Sequence, residues 1–342
     1  MSRLAIVIPA YKKVYLDKTL LSIANQTCND FTLYIGNDCS PYNLKATVDL
    51  YRDRINLHYH EFDENLGNRD LVAHWERCIN MVRDEEWIWL FSDDDFMDTT
   101  CVENFYSVLD QHPYSDLFHY NVTQVDANDK NVKDLSSYPK VLTSEEYLKR
   151  RLNGDFYSFV VEYIFRKSHF LNMGRFENFD LAWSSDDATW IKLSNRNGIV
   201  NIDNSRVYWR ESQFNISPNN WNADILKRKF NSQIKFAKWI YDYCCINRLQ
   251  IDRAFLVYKL RFLFFKTIKD RIEFISFVML RRILSEFYLE LFKAGPPVKR
   301  IIFFYFYKIY MSIKKMMKKL LFWDFFKTKV NEVNKLSYSG NA

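Results

Sequence analysis

Glycine is scarce in this chain, with only seven in 342 residues, and none precedes position 36. An enzyme that makes sugar nucleotides from a triphosphate needs a glycine-rich, basic loop after its first strand. The segment after Pro9 offers Lys12 and Lys13 but no glycine. The sequence therefore argues against a sugar nucleotidyltransferase, which stays only as an alternative.

Cysteine and histidine form no metal-binding pattern. The six cysteines include no C-x-x-C pair and no zinc spacing, which predicts reduced thiols in a cytosolic protein. The six histidines are not spaced as metal ligands and are interpreted as structural or surface residues.

Long apolar runs are also missing. No uncharged apolar stretch reaches the roughly 18 residues that a membrane-spanning helix requires. Leu4–Ala10 is too short for the core of a signal peptide, so no secretion signal is expected. These absences predict a cytoplasmic protein without a transmembrane anchor.

Basic residues are concentrated near the C-terminus. The chain has a net charge of +6, but residues 299–329 hold nine Lys or Arg and one acid, so the remainder carries −2. Within 298–329, lysines interleave with aromatic and aliphatic residues, which predicts a helix lying on an anionic membrane surface. Packing on the rest of the chain, or at a dimer interface, is the alternative. No nucleic-acid-binding motif accompanies the lysines, so no nucleic acid is expected as a partner.

Strands and helices alternate through the first hundred residues. Apolar runs predict strands at Leu4–Ala10, Phe31–Gly36 and Trp87–Phe91, and a short further strand is predicted at Ile55–Glu61. Helical spacing of apolar residues predicts helices at Tyr15–Gln26, Leu44–Tyr51 and Asn68–Arg83. This alternation predicts an α/β fold with a parallel, doubly wound sheet.

The composition changes after Asn222. Residues 224–293 contain neither glycine nor proline and predict several helices. We therefore expect one domain at 1–220 and a mainly α-helical, basic and aromatic extension at 221–342.

A triple carboxylate follows the fourth predicted strand. Trp87–Phe91 leads through Ser92 into Asp93, Asp94 and Asp95. Parallel α/β sheets bind ligands at the carboxyl ends of their strands. Three carboxylates at such a place repel one another unless a positive group lies among them. Mg²⁺ or Mn²⁺, which also binds a diphosphate, meets this need, and a solvated acidic turn is the alternative.

Four segments, in order, resemble glycosyltransferase family 2, whose members are inverting, metal-dependent enzymes with a GT-A fold. The segments are Ile6–Lys13 (family VSVIIPxYN), Asn37–Ser40 (DDxS), Asn65–Arg69 (NxGxxxAxN) and Asp93–Asp95 (DxD), with a looser fifth match at Asp186-Asp187 (ED). The resemblance covers roughly residues 3–217 and implies a GT-A fold, a Rossmann-like doubly wound sheet.

The resemblance implies that the first three segments bind a UDP-sugar donor. The corresponding residues are Pro9, Ala10, Tyr11, Asp38, Asn65 and Arg69. Asp38 offers an acceptor to the uracil ring N–H, and Arg69 follows a strand where a guanidinium reaches a diphosphate. The residues alone leave open a turn or capping role for Asp38 and Asn65 and a surface position for Arg69.

In the acidic cluster the resemblance favours Asp94 as the main ligand of Mn²⁺ or Mg²⁺, with Asp93 on the ribose hydroxyls and Asp95 in support. The family often has an acid where this chain has Ser92, which leaves the division of roles among the three aspartates open. The cation is expected to bridge the phosphates and to stabilise the leaving UDP.

An inverting transfer also needs a base for the acceptor hydroxyl. Asp187 is the expected base, with Asp186 as its neighbour, because a carboxylate pair keeps one pKa near neutrality. Capping of the helix predicted at Ala188–Asn195 is the alternative. Trp183 and Trp190 flank the pair and are predicted either to contact a sugar ring or to pack in the core.

The last matching segment, Tyr208–Ser212, resembles the family pattern YRxHxxS but lacks its histidine. Arg210 is a candidate contact to the diphosphate. Together these features predict a glycosyltransferase, peripheral on the inner face of the cell membrane, that extends a lipid-linked glycan in surface-polysaccharide synthesis. A non-catalytic assembly partner that binds nucleotide sugar or membrane is the alternative.

Overall fold

The computed structural model describes residues 3–135, 137–213, 215 and 222–315. These residues form two compact units, one made of those up to 215 with 228–260 and the other of 222–227 with 261–315. The expected domain boundary at 220 stays a prediction, and the compact units are not divided at one point of the chain.

The strands of the first unit form one mixed sheet. They are β1 (Leu4–Ala10), β2 (Phe31–Asn37), β3 (Leu57–Glu61), β4 (Trp87–Leu90), β5 (Phe96–Met97), β6 (Leu117–Val125), β7 (Asn131–Asp134), β8 (Val141–Leu142), β9 (Tyr163–Arg166) and β10 (Ile199–Arg210). Their order is β3-β2-β1-β4-β9-β6-β10-β5, with β7 beside β6 and β8 beside β10. The first four strands of this order are mutually parallel, as the sequence predicts, whereas β9 runs antiparallel to both β4 and β6.

Helices connect the strands and continue beyond them. They are α1 (Leu16–Ala24), α2 (Leu44–Asp49), α3 (Leu71–Ile79), α4 (Cys101–Gln111), α5 (Ser144–Asn153), α6 (Lys167–Asn172), α7 (Ser185–Ser194), α8 (Ala223–Ile246), α9 (Arg253–Asp270) and α10 (Phe277–Phe292). Short 3₁₀ turns lie at Asp180–Ala182 and Ile272–Phe274, and residues 298–315 are helical. The α/β fold with a helical C-terminal part is therefore confirmed.

The core is centred on β4, and this position determines where the acidic cluster lies. Trp87 and Trp89 are fully buried. The Trp89 ring stacks on Tyr120 at 4.9 Å between centroids, and its indole N–H donates to the Val161 carbonyl at 2.7 Å. All four residues of β4 are buried, so bulky side chains cover both faces of the strand and fix its register. The residues that follow β4 therefore leave the sheet at a defined place.

Two strands in the second half of the sheet are not evident from a local apolar pattern. β9 begins only at Tyr163, because Glu162 Oε1 accepts the Phe159 N–H at 2.6 Å and closes a turn before it. β7 is polar and exposed and so lacks the apolar alternation that predicts strands.

The second unit is built from aromatic helices. Leu280, Ile283, Leu284 and Phe287 form the buried face of α10, and the Phe287 ring stacks on Phe264 at 3.9 Å between centroids. Among the described residues, no helix has both the length and the apolarity needed to cross a bilayer. Residues 316–329 of the predicted membrane-binding segment lie outside the described residues.

Candidate active site

Three parallel strands end at the same edge of the sheet. β1 ends at Ala10, β2 at Asn37 and β4 at Leu90, and their registers bring these ends together. The Asp38 N–H donates to the Ala10 carbonyl at 2.9 Å, which joins the first two exits. The segments that the sequence analysis assigns to the donor therefore meet at this edge, as expected for a parallel α/β sheet.

Asp93 fixes the backbone that leaves β1. Its Oδ2 accepts the N–H groups of Tyr11 at 2.7 Å and Lys12 at 2.6 Å. Burial of Asp93 raises its pKa, while the Lys12 ammonium and the two N–H groups oppose that rise. The carboxylate thus holds two consecutive amides in one orientation, so that Pro9, Ala10 and Tyr11 lie beside the acidic cluster.

Lys12 is the positive group among the three carboxylates. Its Nζ lies 3.2 Å from Asp93 Oδ1 and also contacts Asp94 Oδ2. Burial opposes the charge of the ammonium, but the carboxylates outweigh it and raise the pKa of Lys12 above its ordinary value. The cluster therefore has an internal cation.

Ser92 and Arg210 complete the cluster. The Ser92 hydroxyl lies 2.6 Å from Asp94 Oδ1 and 2.8 Å from Asp95 Oδ2, and Asp95 Oδ1 accepts the Arg210 N–H at 2.7 Å. Burial, followed by the charge of Asp94, raises the pKa of Asp95 to about 8.

A divalent cation does not fit among the carboxylates in this arrangement. The six carboxylate oxygens of Asp93, Asp94 and Asp95 all lie within hydrogen-bond distance of protein donor groups, with the single Ser92 hydroxyl shared between two of them, and Lys12 fills the space between Asp93 and Asp94. A Mg²⁺ ion needs carboxylate oxygens at about 2.1 Å and would meet the ammonium there. No group of three or more acidic, histidine or cysteine side chains in the described part of the chain is arranged as a metal site. The metal ligands Asp94 and Asp95 stay a prediction of the sequence.

Asp38 anchors the loop that follows β3. Its Oδ1 accepts the Leu66 N–H and its Oδ2 the Gly67 N–H, both at 2.9 Å, and the Arg77 guanidinium contacts Oδ1. Burial raises the pKa of Asp38, and these donors oppose that rise. A Cβ atom at Gly67 would lie 2.6 Å from Asp38 Oδ2, so any larger residue would displace this carboxylate.

Arg69 and Asn65, two of the residues predicted to bind the UDP-sugar, lie here at the surface and in a turn, the alternatives that the sequence left open. Arg69 is exposed and pairs with Glu64 Oε2 at 2.5 Å. Asn65 Oδ1 accepts the Asn68 N–H at 3.0 Å and so shapes the turn. The guanidinium that contacts Asp38 in this region belongs instead to Arg77, which is partly buried.

The two neighbouring carboxylates of α7 have different surroundings. Asp187 is held by Arg151 through contacts of 2.7 and 2.6 Å and accepts the Tyr147 hydroxyl at 2.9 Å. For Asp186, burial and then the charge of Asp187 raise the pKa to about 7. Asp187 is thus neutralised by an ion pair, while Asp186 can exchange a proton near neutral pH.

The two tryptophans beside this pair also differ. Trp190 is fully buried and stacks on Tyr163 at 4.4 Å between ring centroids, so it packs in the core, as the alternative had it. Trp183 is half-buried, with the Lys229 ammonium 4.7 Å from its ring centroid. Of the two, only Trp183 presents surface to a ligand.

Arg210 is buried at the acidic cluster. Its Nε donates to the Asp94 carbonyl at 2.8 Å, and its Nη1 lies 2.5 Å from Asp129 Oδ1. Among the described residues, its buried Nη2 has no hydrogen-bond partner. Arg210 therefore supports the loop of the cluster, and its contact to a diphosphate stays a prediction of the sequence.

The family model described as glycosyl transferase family 2 matches residues 5–170, which contain the three strand ends and the acidic cluster. This segment belongs to glycosyl transferase family 2. No curated protein matches the chain significantly.

Solved structures of S. aureus TarS share the fold of this family 2 chain. The structure of TarS residues 1–349 has a TM-score of 0.60 and 16% identity, covering 86% of this chain and 82% of that one. A longer TarS structure has a TM-score of 0.56 and 15% identity, covering 88% of this chain and 50% of that one. The complex of TarS 1–349 with UDP-GlcNAc has a TM-score of 0.51 and 15% identity, covering 84% of this chain and 87% of that one. The expected GT-A fold is thereby confirmed.

The family 2 match ends before Asp186 and Asp187, so their arrangement comes from the structure alone. Sequence reasoning did not place Lys12, Arg77 or Arg151 in the site. Lys12 had one available signal, since it immediately follows the IVIPAY strand exit. Arg77 and Arg151 lie within ordinary helical patterns and give no such signal.

We expect Gly67→Ala to weaken both folding and UDP binding, because the new methyl group meets the Asp38 carboxylate. Overpacking of this kind costs about 1–3 kcal/mol. Thermal unfolding and calorimetric UDP titration measure the two effects. Gly295→Ala is the control, since a Cβ atom there contacts nothing within 4 Å. If Gly67→Ala kept the melting temperature and the UDP affinity of the wild type, the close approach of Gly67 to Asp38 would be contradicted.

Proposed function

We propose that this family 2 member transfers a sugar from a UDP-sugar to a glycan hydroxyl, with inversion at the sugar carbon. One observation carries the proposal. Asp93 accepts hydrogen bonds from the backbone after β1 and so holds it against the acidic cluster, within the segment that the family model matches. TarS has been solved with UDP-GlcNAc and with UDP, which favours a uridine nucleotide as donor.

In the proposed reaction the acceptor oxygen attacks C1 of the sugar from the side opposite the diphosphate. A new C1–O bond forms, the bond from C1 to the phosphate oxygen breaks, and UDP leaves with that electron pair. The acceptor proton passes to a carboxylate of the protein. Such a base is most effective when its pKa lies near the working pH.

We assign this base to Asp186 rather than to Asp187, which the sequence favours. Asp187 accepts three donors from Arg151 and Tyr147, so its two oxygens are already engaged by the protein. Asp186 has the pKa that a general base needs, about 7. In this reading the Asp187–Arg151 pair positions α7, and the charge of Asp187 raises the basicity of its neighbour.

We further propose that the acceptor is lipid-linked and that residues 298–329 bind the cytoplasmic face of an anionic membrane. Within the described part, one side of the helix at 298–315 exposes Val298, Ile302, Phe306, Ile309 and Ile313. These residues recur at intervals of three or four and so lie on one face. Lysines and arginines on the same helix supply the charge that anionic headgroups attract.

Hydrolysis of a panel of UDP-, GDP- and dTDP-sugars by the purified chain tests the proposed function. We expect slow turnover of one UDP-sugar and its loss in Asp93→Ala, which frees the two amides after β1. Asp110→Ala is the matched control, because Asp110 is an exposed carboxylate on α4. Failure to bind or hydrolyse any nucleotide sugar would favour a non-catalytic assembly partner.

We expect Asp186→Asn to lower transfer by about 10²- to 10⁴-fold with little change in melting temperature. Because the base must be deprotonated, wild-type kcat should rise with pH through about 7, and the variant should lose this rise. Steady-state kinetics from pH 5.5 to about 9 measure both effects.

The variant Asp187→Asn distinguishes the role of Asp187 from that of Asp186. It should lower the melting temperature, because Arg151 loses its charged partner in a largely buried place. Loss of transfer in Asp187→Asn at unchanged stability, together with an active Asp186→Asn, would return the role of base to Asp187.

Membrane contact is tested by flotation with vesicles of phosphatidylglycerol and of phosphatidylcholine. We expect binding to the anionic vesicles, weakened about tenfold by Phe306→Glu, which places a charge in the apolar face. Leu50→Glu, at an exposed leucine of the first unit, is the control. Equal binding of Phe306→Glu and the wild type would exclude this face as the contact.

A further inference from the structure

The acidic cluster contains a cation that belongs to the chain. Charge balance requires a positive group among Asp93, Asp94 and Asp95, and the sequence suggests a divalent metal ion for that place. In the structure the Lys12 ammonium lies there, 3.2 Å from Asp93 Oδ1 and in contact with Asp94 Oδ2.

The position of Lys12 is fixed at both ends of the residue. Its own backbone N–H donates to Asp93 Oδ2 at 2.6 Å, so one carboxylate holds the amide and, through Oδ1, the ammonium. The neighbouring amide of Tyr11 donates to the same oxygen at 2.7 Å. A side chain anchored in this way is preorganised, and its ammonium needs little rearrangement to act.

Lys12 also has the means to contact a ligand. Two of the three N–H donors of an ammonium reach Asp93 and Asp94, which leaves the third for a phosphate oxygen. The side chain is 25% exposed, whereas those of the two aspartates are nearly inaccessible. The open side of the cluster is therefore the ammonium.

We propose that Lys12 takes the place of the divalent metal ion: it neutralises the acidic cluster in the free enzyme and contacts the donor diphosphate during transfer. The inference rests on the proposed function and makes it more specific. When the bond from C1 to the phosphate oxygen breaks, the nucleoside diphosphate gains negative charge, and a fixed ammonium stabilises that charge as it develops. Transfer by this protein then needs no added metal ion.

The first test measures metal directly on the full-length chain, without substrate. Mn²⁺ is titrated and followed by electron paramagnetic resonance, which separates free from bound ion. We expect no stoichiometric Mn²⁺ binding to the wild type. Binding of one Mn²⁺ that disappears in Asp94→Asn would overturn the proposal, since the ion would then occupy the place assigned to Lys12.

The second test measures transfer or hydrolysis of the UDP-sugar in EDTA. We expect wild-type turnover to change less than about twofold on chelation, and Lys12→Met to lose about 100-fold, as removal of one preorganised donor does. Lys12→Arg should retain more activity than Lys12→Met because it keeps the charge. Lys13→Met is the matched control, because it removes an exposed ammonium at the next position. Full activity of Lys12→Met, or loss of wild-type activity in EDTA, would overturn the proposal.

A gain of Mn²⁺ binding in Lys12→Met, with turnover restored by Mn²⁺, would support the inference strongly, because the ion would enter the place that the ammonium vacates. Circular dichroism and thermal melting establish that each variant is folded. Failure of the proposed function is distinguishable, since it appears as no turnover of any nucleotide sugar by any variant. The Mn²⁺ titration of the wild type still reports which cation occupies the cluster.

Discussion

Burial of three consecutive carboxylates is the constraint on which the arrangement of this sheet edge depends. Each buried carboxylate costs several kcal/mol unless donors or cations compensate it. The donors come from the ends of two other strands: the amides and the Lys12 ammonium after β1 contact Asp93 and Asp94, and the amide of Arg210 at the end of β10 donates to Asp95. The cluster therefore forms only where β1, β4 and β10 all end correctly, and it couples the two halves of the sheet.

The same chemical group serves opposite purposes in this chain according to its donors. Asp38 and Asp187 each accept several donors, including an arginine, and act as anchors for a loop and a helix. Asp186 and Asp95 carry pKa values of about 7 and about 8, because burial disfavours their charge and a charged neighbour adds repulsion. A pKa raised to near neutrality suits proton transfer.

The sequence predicts the first half of the fold well because local patterns determine it. β1, β2 and β4 are largely apolar and buried runs separated by helices, and such strands belong to parallel sheets covered on both faces. It predicts the second half less well, because β7 is polar and β9 is shortened by a turn that a single carboxylate, Glu162, closes. Motifs locate the acidic cluster and the Asp186-Asp187 pair, but not the donors that decide what each carboxylate does.

Lys12 illustrates why those hydrogen-bond donors cannot be predicted from the sequence. The need for a cation among the three aspartates follows from electrostatics alone. A metal ion and an ammonium group both satisfy this need, so the sequence does not distinguish them. The choice depends on the path of one flexible side chain from a residue 82 positions before Asp94. That path is determined by the parallel pairing of β1 with β4, which brings the Lys12 amide within bonding distance of Asp93 and so directs its ammonium inward. A requirement can thus be inferred from composition, whereas the group that meets it is specified by tertiary contacts.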